Sequence, residues 1–221
     1  MEKSVEEDVQ VENEGDRLNP WLTIWYKPRA TFRSFINHGS DSKLIIFLVM
    51  LSGVLYAFDR AVGKSMGESM STLMVLVLVI VLGAVGGIIS WLIWSAIVYY
   101  VGKLFKGTGT LREMYTVIGL SYIPVAVSTI FCFFDVVILK DALFVDVYLS
   151  PFQIIWLLFS TFFTFMFTAW SWFLMVKGIA EVHRFSSWKG LLTFIIPGAV
   201  LFLMIIVIVI VGVIVSMVAF G

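Results

Sequence analysis

One pattern in the sequence is typical of a nucleophilic serine, namely Gly63-x-Ser65-x-Gly67. In α/β hydrolases this pattern forms a sharp turn between a strand and a helix, and a histidine activates the serine. The chain has two histidines, His38 and His183, and both lie in segments that the charge distribution described below assigns to the other side of a membrane. We therefore expect no Ser–His pair and no enzymatic activity from this pattern.

Two further patterns resemble ligand sites but lack required residues. The glycine-rich stretch GKLFKGTGT at residues 102–110 is not a Walker loop, because Thr108 follows Gly107 where that loop needs a lysine. Glu181 and His183 could each bind a metal, but no further ligands accompany them at the spacing of a metal site. The sequence therefore predicts neither a cofactor nor a metal.

Asp135 interrupts one of the long apolar runs of the chain. A carboxylate near the centre of a bilayer costs about 2.5 to 3.5 kcal/mol on insertion scales, and such residues are candidates for function. Asp135 lies toward the end of its run, five residues before Lys140, which lowers the cost. Two hypotheses stay open: a hydrated or paired acid, or a polar site in a small transporter or channel.

Five long apolar runs must position these residues. A hydrocarbon core of roughly 30 Å needs about 20 apolar residues in a helix. The sequence therefore predicts an all-α membrane protein, a five-helix transmembrane bundle that occupies residues 43–221. The expected spans are 43–62, 72–101, 113–139, 152–179 and 191–219.

The distribution of Lys and Arg orients these spans. Twelve of these cations lie before the first span and in the second and fourth connections, and only three lie in the first and third connections. The positive-inside rule then places the N-terminus in the cytoplasm and Gly221 outside the cell, in a multi-pass plasma-membrane protein. Because the cations are dispersed over three short segments, we expect contact with the lipid bilayer and no binding of nucleic acid.

The segment before the first span divides into two parts. Residues 1–16 hold seven acids and one lysine, so we interpret residues 1–18 as a disordered acidic cytosolic tail. In residues 19–42, aromatic side chains line one helical face and arginines another, which predicts an amphipathic segment in the membrane interface. A hydrophobic cap packed under the bundle is compatible with the same pattern.

Small residues and a proline predict how the spans pack. Gly83 and Gly87 form a G-x-x-x-G pair that lets two helix backbones approach closely, either inside one bundle or in a homo-oligomer. Pro124 removes a backbone donor within the third run and predicts a kink there. Thr110 and Glu113 have the spacing of a capping box at the start of that run.

Three stretches carry a resemblance to a known family: NPWLTIWYKPRATFR, WLIWSAIVYYVGKLFKGTGTLREMYTVIGLSYIPVAV and WSWFLMVKGIAEVHRFSSWKG. Together they resemble the Yip family, a membrane domain named for proteins that interact with Ypt/Rab GTPases, in its bacterial form. The similarity runs from about Asn19 to the end of the chain. Its best anchors are Gly107, Gly119, Tyr122, Pro124, Gly178, His183, Ser186 and Lys189.

The resemblance implies a five-helix bundle with a cytosolic N-terminus and no enzymatic activity. Eukaryotic members are associated with vesicle traffic and Rab binding. This chain has WYKPR where those members carry D-L-Y-G-P, so Rab binding is not carried over.

The leading hypothesis is therefore a non-catalytic protein that binds or scaffolds other membrane proteins or organises the membrane around them, and a small transporter or channel using Asp135 is the alternative. Candidate residues for docking of partners or lipid are aromatic or charged side chains on the predicted cytoplasmic side. They are Trp21, Trp25, Arg29, Arg33, Lys103, Lys106, Arg112, Glu181, His183, Arg184 and Lys189.

Overall fold

The computed structural model describes residues 18–39 and 41–220, and every regular element within them is helical. The helices are α1 (Pro20–Thr23), α2 (Pro28–Asn37), α3 (Ser42–Gly63), α4 (Thr72–Leu104), α5 (Leu111–Leu120), α6 (Ile123–Leu139), α7 (Pro151–Val182) and α8 (Ser187–Phe220). Short 3-10 turns follow α3 and α6, at Met66–Glu68 and Lys140–Leu143. Apart from Leu18, the predicted acidic tail lies outside the described residues, as does Gly221.

Local sequence signals start several of these helices. The Asp41 carboxylate accepts hydrogen bonds from the backbone N–H groups of Lys43 and Leu44, at 3.1 and 3.2 Å, and so caps α3. The predicted capping box is confirmed, because the side chains of Thr110 and Glu113 each accept a hydrogen bond from the other residue's backbone N–H. These caps fix where the first and third spans begin, both on the same side of the bundle.

Five helical segments in the described part of the chain are long and apolar enough to cross a membrane. They are Ser42–Gly63, Thr72–Leu104, Leu111–Leu143, Pro151–Val182 and Ser187–Met217. The predicted all-α, five-helix membrane fold is thereby confirmed. We call the side of the bundle with α2 and the α4–α5 and α7–α8 connections the N-terminal face, and the other side the opposite face.

The third span is divided where the proline predicts a kink. Helix α5 ends at Leu120 and α6 begins at Ile123, one residue before Pro124. At the break, the backbone carbonyl of Ser121 accepts a hydrogen bond from the hydroxyl of Ser171 on α7. A hydroxyl on a neighbouring helix thus satisfies a carbonyl at the break, as buried breaks in membrane helices require.

Helices α3 and α4 make the most extensive contact in the bundle. Gly83 and Gly87 of α4 lie directly against Gly53 of α3, and a Cβ atom on Gly53 would come within 2.2 Å of the Gly83 carbonyl oxygen. This glycine crossing, Gly53 with Gly83 and Gly87, is a contact inside one chain. By contrast, a Cβ atom on Gly86 would meet no atom within 4 Å.

The apolar face of α2 is covered by the bundle itself. Phe32 is fully buried and Phe35 is 2 % exposed, and both belong to a core cluster that includes Val117 and Ile179. For these two side chains, the amphipathic segment is therefore a hydrophobic cap packed under the bundle. Exposed apolar side chains nearby belong to α1 and the turn after it, namely Trp21, Leu22 and Tyr26.

Candidate docking site at the N-terminal face

An ion pair joins the amphipathic helix to the end of the fourth span. The Arg33 guanidinium on α2 lies 2.7 Å from the Glu181 carboxylate near the end of α7, and it is the one ion pair among the described residues. The Arg33 side chain is 65 % exposed, whereas that of Glu181 is 13 % exposed. An exposed pair contributes little to stability, so its main consequence is to fix the position of α2 beside α7.

A second polar contact lies alongside this pair. Arg29, one turn before Arg33, donates a hydrogen bond of 2.9 Å from Nη2 to the hydroxyl of Ser187 at the start of α8. Lys177 on α7 donates to the same hydroxyl at 3.2 Å. Helix α2 therefore lies across the junction of the fourth and fifth spans.

These contacts border a cleft of about 410 Å³ at the N-terminal face. Its polar lining comes from α2, from the start of α5 and from the end of α7 with the turn after it, and comprises Arg29, Arg33, Asn37, Glu113, Glu181 and Arg184. We call this set the arginine cleft. Glu181 pairs with Arg33 and Glu113 accepts from the Thr110 backbone. Arg29 donates to a hydroxyl and Arg184 forms no ion pair with a described residue, so two arginines remain available to an anionic group.

His183 immediately precedes Arg184, but its ring is enclosed. The residue is 1 % exposed, and its ring stacks against the rings of Tyr99 and Phe185, with centroid distances of 6.0 and 5.3 Å. Two glycines close the remaining sides, since a Cβ atom on Gly102 would lie 2.1 Å from Nε2 and one on Gly107 2.2 Å from Nδ1. We call this enclosure the histidine cage.

The cage determines the protonation state of its histidine. Burial, which is the largest cause, and the nearby Lys103 ammonium together lower the pKa of His183 to about 4, although Glu113 opposes the shift. The ring is therefore neutral at physiological pH. His183 was expected at the docking surface, and the structure corrects this expectation because the side chain is inside the protein and holds two connections together.

The other predicted docking residues are spread around the N-terminal face. Trp25 is half-buried and stacks on Trp170 of α7, with ring centroids 6.5 Å apart, while Trp21 is 39 % exposed. The remaining cations are exposed but do not line the arginine cleft: Lys103, Lys106, Arg112 and Lys189. The sequence gives no sign that Asn37 and Glu113 line this cleft, and its pattern indicates only a helix-capping role for Glu113.

Asp135 lies far from this cleft, toward the opposite face. Its two carboxylate oxygens accept hydrogen bonds of 2.8 Å from Trp156 Nε1 and Ser160 Oγ, both on α7. The residue is 8 % exposed. These bonds tie α6 to α7, which gives the acid a packing role. Within the described part of the chain, no three His, Cys, Asp or Glu side chains lie close enough together to hold a metal ion.

Comparison with known proteins agrees with this architecture. The family model described as Yip1 domain matches residues 22–218, which covers all five spans. No curated protein and no solved structure gives a significant match. The extent of the family match and the five-span helical fold together show that this chain is a multi-pass membrane protein of the Yip1 domain family.

Proposed function

We propose that this protein is a non-catalytic partner-binding factor whose arginine cleft receives an acidic segment of another membrane protein. The observation that carries the proposal is that Arg29 and Arg184 face one cleft while no carboxylate of the described chain pairs with either. Guanidinium groups bind carboxylates with paired, directional hydrogen bonds, so such a cleft favours an acidic partner.

The construction of the cleft supports a binding role. Its walls come from three parts of the chain, and the Arg33–Glu181 pair joins residues 148 positions apart. The cleft therefore depends on the folded bundle, and its size of about 410 Å³ accommodates side chains of a short peptide segment. Bilayer contact follows from the five apolar spans, whereas the partner is part of the proposal.

A photo-crosslinking residue in place of Asn37 tests this function in native membranes. We expect a discrete protein adduct whose yield falls at least tenfold when Arg29→Glu and Arg184→Glu are combined. Reversing the charge of two contacting side chains should cost more than about 1.4 kcal/mol of binding free energy, which corresponds to about tenfold in affinity. Lys189→Glu is the matched control, since Lys189 is exposed on the same face but does not line the cleft. Adducts with random neighbours, or adducts that the double reversal leaves unchanged, would contradict the proposal.

We also propose that the N-terminal face is cytoplasmic and that the protein is in the plasma membrane. The excess of Lys and Arg on this face supports the orientation. In a Cys132→Ser background, a membrane-impermeant maleimide added to intact cells should label Lys64→Cys and not Lys106→Cys, although both positions are exposed. Labelling of Lys106→Cys before lysis would reverse the orientation.

A further inference from the structure

A second and larger cavity lies within the membrane-spanning part, away from the arginine cleft. It measures about 690 Å³ and is lined by α3, α4, α6, α7 and the turn after α3. One wall is formed by the α4 backbone at Gly83, Gly86 and Gly87. Space for a side chain remains at Gly86, where a Cβ atom would meet no atom within 4 Å.

The cavity opens sideways toward lipid. Three of its lining residues, one each on α3, α4 and α7, are strongly exposed: Tyr56 at 62 %, Leu82 at 63 % and Trp172 at 51 %. The fifth span does not cover this opening, because α8 residues from Gly198 to Met217 are exposed and the lining residues belong to the other helices. A hydrocarbon chain in the bilayer can therefore enter the cavity laterally.

The end of the cavity at the opposite face is cationic. Arg60 and Lys64, one turn apart at the end of α3, both line it, together with one acid, Asp59. The Arg60 guanidinium lies over the Tyr56 ring at 5.5 Å, and its Nε donates to the Tyr56 hydroxyl at 3.1 Å. This contact holds the guanidinium at the rim, at the level where helix ends meet lipid headgroups.

We propose that this cavity binds one anionic phospholipid from the leaflet at the opposite face, with its phosphate at Arg60 and Lys64 and one acyl chain against the glycine wall of α4. The cationic end matches an anionic headgroup, and the volume lies within the range of about 300 to 1,000 Å³ typical of small-molecule sites. Because acyl chains gain little from leaving bulk lipid, the headgroup contacts set the selectivity and the cavity shape sets the number bound.

Native mass spectrometry of the purified full chain in mild detergent tests this site with phosphatidylglycerol and phosphatidylcholine as probes. We expect one retained lipid and a preference of at least about fivefold for phosphatidylglycerol. Both headgroups carry a phosphate, but the choline cation of phosphatidylcholine neutralises its headgroup and is repelled by Arg60 and Lys64. Combining Arg60→Gln with Lys64→Gln should abolish the preference. Lys140→Gln is the matched control, because Lys140 is exposed on the same face and does not line the cavity.

A second pair of variants tests the cavity itself. Gly86→Trp should fill the space beside α4 and reduce retention of both lipids at least fivefold, whereas Gly198→Trp, at another glycine with no atom near its Cβ position, should not. Equal retention in Gly86→Trp and the unaltered chain would overturn the proposal, as would equal retention of the two lipids. If a photo-crosslinker at Leu82 formed an adduct with a second copy or with another protein, a protein helix would occupy the cavity, and this result would also overturn the proposal.

Discussion

Gly87→Ala should destabilise the protein by about 1 to 3 kcal/mol, although alanine is the better helix former by about 1 kcal/mol. The added Cβ atom would lie 2.6 Å from the Val49 carbonyl oxygen and 2.9 Å from the Cα of Gly53, so two helix backbones must move apart. Gly53→Ala should cost at least as much, because its Cβ atom would lie 2.2 Å from the Gly83 carbonyl oxygen. The thermal midpoint of purified protein in detergent measures the effect.

Gly86→Ala is the matched control for this result. Gly86 precedes Gly87 in the same helix, about 100° around its axis, and its Cβ atom would meet no other atom within 4 Å. We expect unchanged or slightly raised stability. If Gly86→Ala and Gly87→Ala behaved alike, the glycine crossing would not hold α3 against α4. If Gly87→Ala changed only self-association, the G-x-x-x-G pair would be a seam between copies instead.

Gly102→Ala should be the second strongly destabilising change, costing at least about 2 kcal/mol by overpacking. Its Cβ atom would lie 2.1 Å from Nε2 of His183, and the ring has little room to move because it is 1 % exposed and stacks against both Tyr99 and Phe185. Thermal unfolding of the purified chain gives the measurement. Gly63→Ala is the control, since no atom lies within 4 Å of its Cβ position.

A double-mutant cycle tests whether the destabilisation by Gly102→Ala comes from the histidine cage or from a general effect on the end of α4. In a His183→Ala background, Gly102→Ala should cost less than about 0.5 kcal/mol, because the ring that the methyl group would overlap is gone. The coupling between the two positions should therefore exceed about 1 kcal/mol. Additive effects would show that the methyl group clashes with something other than His183.

The amphipathic segment shows where sequence reasoning reaches its limit. The pattern of Phe32, Phe35, Arg29 and Arg33 predicts an apolar face and a charged face, and both exist. The same pattern fits a helix in the lipid interface and a helix packed on protein, because both environments are apolar. Only the positions of α5 and α7 decide that Phe32 and Phe35 are buried in protein.

The sequence by itself determined the five spans, the Thr110–Glu113 cap and the break near Pro124. Each of these features depends only on residues within one segment of the chain: the length of an apolar run, a capping pair three residues apart, and the backbone donor that proline lacks. The tertiary structure decided that Glu181 meets Arg33 and that His183 is enclosed. It also decided that a cavity opens between α4 and α7. The physical reason is that lipid surrounds every span alike, so apolar patterning cannot choose helix neighbours, and close backbone approach between distant residues must do so.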